Sequence, residues 1–145
     1  MELSNGSVMV NARNEETGCP NFKGCKQHHR LYAVSNDGGT TFGAPQFAED
    51  LQEPHCSAGL INHGGTLYFS NPDSVSGRTH MTLKKSTDSG NHWQVDTLIY
   101  AGLSAYSVVV PLDAARIGVV YERGEWDTAT EGARTITVAT VALSA

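Results

Sequence analysis

An eight-residue pattern, Ser-x-Asp-x-Gly-x-x-aromatic, occurs twice in this chain, starting at Ser35 and again at Ser86, 51 positions on. The first copy reads S-N-D-G-G-T-T-F, Ser35 to Phe42, and the second S-T-D-S-G-N-H-W, Ser86 to Trp93. Each follows a strand-like run, L-Y-A-V before one and R-T-H-M-T-L-K-K before the other. Asp37 and Asp88 are placed to accept backbone N–H bonds from the residues after them, as an Asx-turn does. Gly39 and Gly90 supply the positive φ such a turn needs. Phe42 and Trp93 restart a strand and offer a ring for burial. A turn signature recurring at this period between short strands predicts a modular all-β array of the propeller kind. On this reading both motifs are hairpin staples, and their aspartates are not catalytic.

Runs of β-branched and aromatic residues between Gly, Asn, Asp and Pro punctuation predict the strands. They are Glu2-Leu3, Ser7 to Ala12, Arg30 to Val34, a weak Pro45 to Phe47, Ser57 to Asn62, Thr66 to Ser70, Arg78 to Lys85 and His92 to Tyr100. Tyr106 to Leu112, Arg116 to Tyr121 and Thr135 to Leu143 complete the set. Asn5-Gly6 reads as a type I′ hairpin turn, although Asn5-Gly6-Ser7 also matches a glycosylation sequon. No segment of a dozen residues carries a 3.6-residue apolar period. With four strands to a blade, about ten or eleven strands make between two and three blades. A propeller ring closes with four to eight, so the expectation is a partial propeller whose open ends need covering.

The 145 residues suit one domain, and 39% apolar with 17% charged residues is ordinary for a globular chain. A net charge of −5 argues against a nucleic-acid surface, which needs clustered Lys and Arg. No stretch approaches the roughly 20 apolar residues of a membrane span. The start M-E-L-S-N-G-S shows no secretory signal pattern, so the chain reads as soluble with its compartment open. Three cysteines, Cys19, Cys25 and Cys56, make no disulfide framework. Cys19 and Cys25 bracket C-P-N-F-K-G-C with His28 and His29 close behind. That segment reads as a loop thiol pair, reduced or bridged, with zinc as the alternative, although the spacing matches no standard finger. No cofactor is implied, and no acidic cluster suggests calcium.

Three segments join costly residues to strand ends. Arg13 ends V-M-V-N-A-R, Arg78 begins a strand directly after Gly77, and Tyr106 with Glu122 lies on a predicted hairpin. Radial blades would bring such strand ends to one face, where two guanidinium groups would form a bidentate anion site. Periodicity alone leaves open the alternative that each Arg is a surface or ion-paired residue and that Tyr106 is a half-buried strand aromatic.

The series E-L-x-x-G-x-x-x-x-N-x-R-N, S-N-D-G-G-T-T-F, S-N-P then G-R-x-x-M-T-L, S-T-D-S-G-x-x-W, A-Y-S and Y-E-R-G resembles the exo-α-sialidases. In order and spacing it is similar to the C-terminal half of that family, closest to bacterial and lysosomal-type members, from Glu2 to about Gly124 and into the last strand. The resemblance implies a six-bladed propeller and a retaining glycoside hydrolase that releases terminal sialic acid from glycoproteins, glycolipids and oligosaccharides. Arg13 and Arg78 would be the second and third of three arginines on the sugar carboxylate. Tyr106 would be the nucleophile, a neutral phenol suiting an anomeric carbon that bears a carboxylate. Glu122 would match a glutamate that orients the first arginine.

The resemblance also implies that residues 1–145 are the C-terminal part of such a propeller, with an N-terminal half absent. That half would hold the first arginine and the Asp acid/base, and the Glu paired with the nucleophile would precede Met1. The expected partners are sialylated glycans, together with the absent half or a second copy to complete the ring. A secreted or lysosomal setting would suit the full-length protein. The alternative reading is a non-catalytic sialoglycan-binding or self-assembling half-propeller.

Overall fold

The computed structural model describes residues 1–14, 26–127 and 132–143. Cys19 and Cys25 lie outside the described residues. Within them the chain forms nine strands: β1 (Val8–Ala12), β2 (His29–Ser35), β3 (Gln46–Gln52), β4 (Gly59–His63), β5 (Thr66–Pro72), β6 (Thr79–Ser86), β7 (Gln94–Asp113), β8 (Arg116–Asp127) and β9 (Gly132–Ala142). All pairings are antiparallel and sequential, β1-β2-β3 in one sheet and β4 through β9 in another. Among the described residues no helix is long and apolar enough to cross a membrane.

The sequence suggests two strands, His92 to Tyr100 and Tyr106 to Leu112, where the structure has the single 20-residue β7. Its first half, to Leu103, pairs with β6, and from Ser104 onward it pairs with β8. One strand therefore ends a four-stranded unit and begins the next. The chain becomes three consecutive antiparallel units of three, four and three strands, which is an all-β partial propeller. Gly102 and Ser104 between two apolar runs look like a loop by composition, but the crossover keeps extended backbone throughout.

The middle unit is covered on both faces. Along β5 the side chains alternate, as a strand requires. Leu67 and Phe69 pack with Leu3, Met9, Ala48, Leu51 and Trp93 on one side. Tyr68 joins Met81, Leu83, Val109, Ile117, Val119, Tyr121 and Val141 on the other. Burial on both faces explains why β5 and β6 lack a clean polar alternation. Even Lys84 on β6 is buried, its ammonium held by Asp73 Oδ1 and the Asp50 carbonyl, each at 2.7 Å.

The second and third units meet at a backbone contact. A Cβ at Gly59 would come within 2.4 Å of the Val109 nitrogen and 2.9 Å of the Val108 carbonyl carbon. Only glycine lets β4 approach β7 so closely. Beside it, Ser70 Oγ donates to Ser107 Oγ and Ser107 Oγ donates to the Ser70 carbonyl, both at 2.9 Å.

Both Asp motifs form the same staple, with a different division of labour from the Asx-turn expected. The serine makes the near bonds: Ser35 Oγ accepts from Asp37 N and Gly39 N, and Ser86 Oγ from Asp88 N and Gly90 N. The aspartate reaches four residues ahead, Asp37 Oδ1 to Thr41 N at 2.8 Å and Asp88 Oδ1 to His92 N at 3.0 Å. Gly39 and Gly90 carry the positive φ expected, 91° and 88°. The two aromatic rings differ. Trp93 is buried against Phe69 and donates its indole N–H to the Gly90 carbonyl, whereas Phe42 is 42% exposed. Its outer face has no neighbouring unit among the described residues. At Asn5-Gly6 only Gly6 has positive φ, and Leu3 N donates to the Ser7 carbonyl. That is a three-residue hairpin loop in place of the type I′ turn, because Asn5 Oδ1 accepts from Ser7 N and Oγ and holds Asn5 out of the left-handed region.

His92, where the first copy has Thr41, adds a charge pair. Its Nδ1 lies 2.6 Å from Asp88 Oδ2. The hydrogen bond and then the charge of Asp88 raise the His92 pKa, while the bonds from His92 and Ser86 lower that of Asp88 to about 2.

Two predictions follow from the packing and the staple. Gly59→Ala should destabilise the protein by about 1–3 kcal/mol or more. Gly77→Ala, where an added Cβ meets nothing within 4 Å, should change stability by less than about 0.5 kcal/mol. Urea denaturation of both variants reads the difference. The His92–Asp88 pair should stabilise fully only below the ordinary His value of 6.5 and above the ordinary Asp value of 3.8. It fades as pH rises through the raised His92 value, and again as pH falls toward about 2 with protonation of Asp88. The Tm deficit of His92→Ala should therefore be larger at about pH 5.5 than at about pH 9. Equal deficits would contradict the pairing.

Candidate active site

Residues 93 positions apart in the chain meet at one end of the strands. Tyr106 lies on β7 two residues past the point where that strand changes partner. The β7–β8 register breaks between Ser104 and Ser107, so Tyr106 falls inside a bulge. Its N–H, released from the ladder, donates to Glu122 Oε2 on β8 at 3.0 Å. A bulge here re-aims the side chain out of the alternation its neighbours follow. The ring is 42% exposed.

Arg13 follows the last residue of β1, and its Nη1 donates to the Tyr106 phenol oxygen at 3.4 Å. Arg78 immediately precedes β6, and its own carbonyl accepts Ser104 N–H at 2.9 Å, which fixes it beside the start of the bulge. Its guanidinium lies over the Tyr106 ring, 5.3 Å from the centroid, and Nη2 donates to the His55 carbonyl at 3.1 Å. His55 has φ 55°, a left-handed conformation that His tolerates better than most residues. The four residues singled out in the sequence, Arg13, Arg78, Tyr106 and Glu122, are thus brought together, one or two from each of the three units. The two guanidinium groups reach Tyr106 at different places, one at the oxygen and one at the ring.

A cleft of about 400 Å³ opens beside them, lined by Asn11, Ala12, Arg13, Arg30, Ser57, Ala58 and Tyr106. A second, of about 300 Å³, lies between Tyr106, Ser57 and Glu122. Two fixed positive charges beside an exposed phenol suit an anionic ligand presented to an oxygen nucleophile. Cys56, the one thiol among the described residues, is buried, and burial pushes its pKa up to about 11, so it is unsuited to nucleophilic work near neutral pH. Among the described residues no group of three His, Cys, Asp or Glu side chains could hold a metal ion.

Sequence reasoning passed over three residues of this neighbourhood. Arg30 opens a strand as any surface arginine could, Glu53 sits in Q-E-P-H-C with no repeat or spacing to mark it, and His55 contributes only its carbonyl. Yet Arg30 is almost wholly buried and Glu53 wholly so, Arg30 Nη1 lying 3.3 Å from Glu53 Oε2. Burial disfavours the Arg30 charge and lowers its pKa, against which Glu53 acts to raise it.

Consecutive antiparallel units, two of them joined through β7, Asp-stapled turns and an arginine-flanked tyrosine on one face define the blades of a β-propeller with a cationic site. The chain belongs to the BNR repeat-like domain family, which it matches over residues 1–119, and it is similar in sequence and fold to sialidases. A sialidase of Micromonospora viridifaciens is 30% identical to it over 134 residues, 86% of this chain and 19% of that protein. A sialidase of Bacteroides fragilis (strain YCH46) is 29% identical over 133 residues, 83% of this chain and 23% of the relative. The structure of Hadza microbial sialidase Hz136 aligns with a TM-score of 0.72 at 27% identity, over 95% of this chain and 25% of that one. The chain spans about a fifth of the length of the curated relatives it matches.

Proposed function

We propose that this chain supplies part of the active site of a retaining exo-α-sialidase, acting on the terminal sialic acid of glycans. The observation that carries the reading is the placement of Tyr106 between two guanidinium groups from separate units, Arg13 at its oxygen and Arg78 over its ring. In this reading Arg13 and Arg78 grip the sugar carboxylate. Tyr106 Oη attacks the anomeric carbon, the bond to the glycan oxygen breaks, and water later releases the sugar from the phenol oxygen. A neutral phenol approaches a carbon bearing a carboxylate without the repulsion a second carboxylate would meet. Glu122 fixes the backbone of the nucleophile through the Tyr106 N–H and remains available to orient a further arginine.

Residues 1–145 act, on this proposal, as the C-terminal part of a six-bladed ring. The first arginine, the acid/base aspartate and the glutamate that takes the Tyr106 proton belong to its other blades. The apolar side chains Val108, Ile136 and Val138, all more than half exposed on the last unit, support a further blade beside it. A second copy could cover the same strip, which is the reading of a self-assembling binding module. The exposed phenol favours the enzyme, because gripping a carboxylate needs the arginines alone. A secreted or lysosomal setting would suit such a substrate.

In the whole protein, Tyr106→Phe should lower turnover of a fluorogenic sialoside by at least about 10³-fold while sialic acid affinity stays within severalfold. Near-normal turnover would remove Tyr106 from the nucleophile role. Arg78→Lys should raise KM by about tenfold or more, since a point charge cannot replace a planar fork. An unchanged KM would argue against the carboxylate grip.

A further inference from the structure

We propose that Glu53 is the positioning residue that sets the spacing of Arg13 and Arg78, and so the preference of the site for a carboxylate. The inference rests on the sialidase reading of those two arginines. Glu53 follows β3, is fully buried, and uses both carboxylate oxygens. Oε1 accepts the Asn14 backbone N–H at 2.6 Å, directly after Arg13. Oε2 accepts Cys56 N at 3.1 Å and Arg30 Nη1 at 3.3 Å. The Cys56 bond folds residues 53–56 into a tight loop, and that loop presents the His55 carbonyl to Arg78 Nη2. One carboxylate therefore holds the backbone under one arginine and shapes the carbonyl that receives the other.

Arg30 completes the bracket. Its Nε donates to Asn11 Oδ1 on β1 and its Nη1 to the Cys56 carbonyl, both at 2.8 Å. Its guanidinium also lies over Phe69 of the middle unit, 5.6 Å from the ring centroid. A buried ion pair between well-packed elements is an uncertain source of stability, because desolvation offsets much of the attraction. It is an effective device for orientation, because its partners are few and directional. Here the hydrogen-bonded partners Asn14, Asn11 and the 53–56 loop lead to the backbone that carries Arg13 or to the carbonyl that receives Arg78. Neither Glu53 nor Arg30 touches Tyr106 by a hydrogen bond, so Glu53 acts through the arginines around the cleft.

The test compares binding of sialic acid with binding of its carboxyl methyl ester, by calorimetry on the whole protein and on its Glu53→Gln variant. Glutamine keeps the size of the side chain, but its NH2 faces groups that are themselves donors. Wild type should prefer the acid by about tenfold or more. In Glu53→Gln that preference should fall below about threefold while ester affinity stays within about twofold. A role in folding alone would weaken both ligands together or change neither ratio. Glu53→Asp, which keeps the buried charge but draws it back by one methylene, should show the same loss and carries the test if the glutamine variant does not fold. A wild type that binds acid and ester alike would remove the carboxylate grip itself. A wild type that discriminates, with both variants discriminating equally well, would overturn only the role of Glu53. Failure of both variants to fold would also overturn it, since Glu53 would then be a support of the fold and not of the arginine spacing.

Discussion

Strand β7 belongs to two antiparallel units, and the rest of the structure is arranged around that fact. Up to Leu103 it is the last strand of the middle unit, and from Ser104 it is the first strand of the next. A strand cannot serve two sheets without turning its ladder from one neighbour to another, and the turn leaves an irregular stretch. The irregularity falls between Ser104 and Ser107, and Tyr106 occupies it. Gly59 then lets β4 press its backbone onto the far side of the same strand. The approach sets the backbone of β4 directly against that of β7. The tyrosine is therefore exposed as a side chain on a backbone held from three sides: β8, β4 and the Arg78 carbonyl.

The site inherits its charge from strand ends. Arg13 leaves β1, Arg78 enters β6, and Glu122 lies on β8, so each unit contributes from the same edge of the array. Such an arrangement needs no helix dipole or metal to create a positive field. It needs the backbone under each arginine to be fixed, and this is where buried polar groups enter. Lys84 ties β6 to the loop after β5 and to β3, and Glu53 ties the end of β1 to the loop after β3. These are hydrogen-bonded charges in places where an apolar side chain would pack as well but would not direct a neighbouring backbone.

Much of this was legible in the sequence, and the illegible part has a physical pattern. The Asp motifs at Ser35 and Ser86 revealed the modular array because a staple made within eight residues leaves its whole signature in one stretch of chain. Arg13, Arg78, Tyr106 and Glu122 could be named from their motifs, but their meeting could not be derived, since it depends on the stacking of units. The crossover in β7 was hidden because Gly102 and Ser104 look like loop residues and function there as strand. Glu53 and Arg30 were passed over because a buried ion pair is two ordinary charged residues until the fold brings them together. Phe42 and Trp93 occupy equivalent positions, and only the neighbouring unit decides which ring is covered.

The central claim is that two guanidinium groups on separate units take hold of one carboxylate beside Tyr106. A crystal structure of the whole protein with sialic acid bound tests it most directly. The account predicts that the sugar carboxylate lies within about 3 Å of both the Arg13 and Arg78 guanidinium groups, with the anomeric carbon facing the Tyr106 oxygen. A carboxylate bound elsewhere, or held by neither arginine, would contradict it.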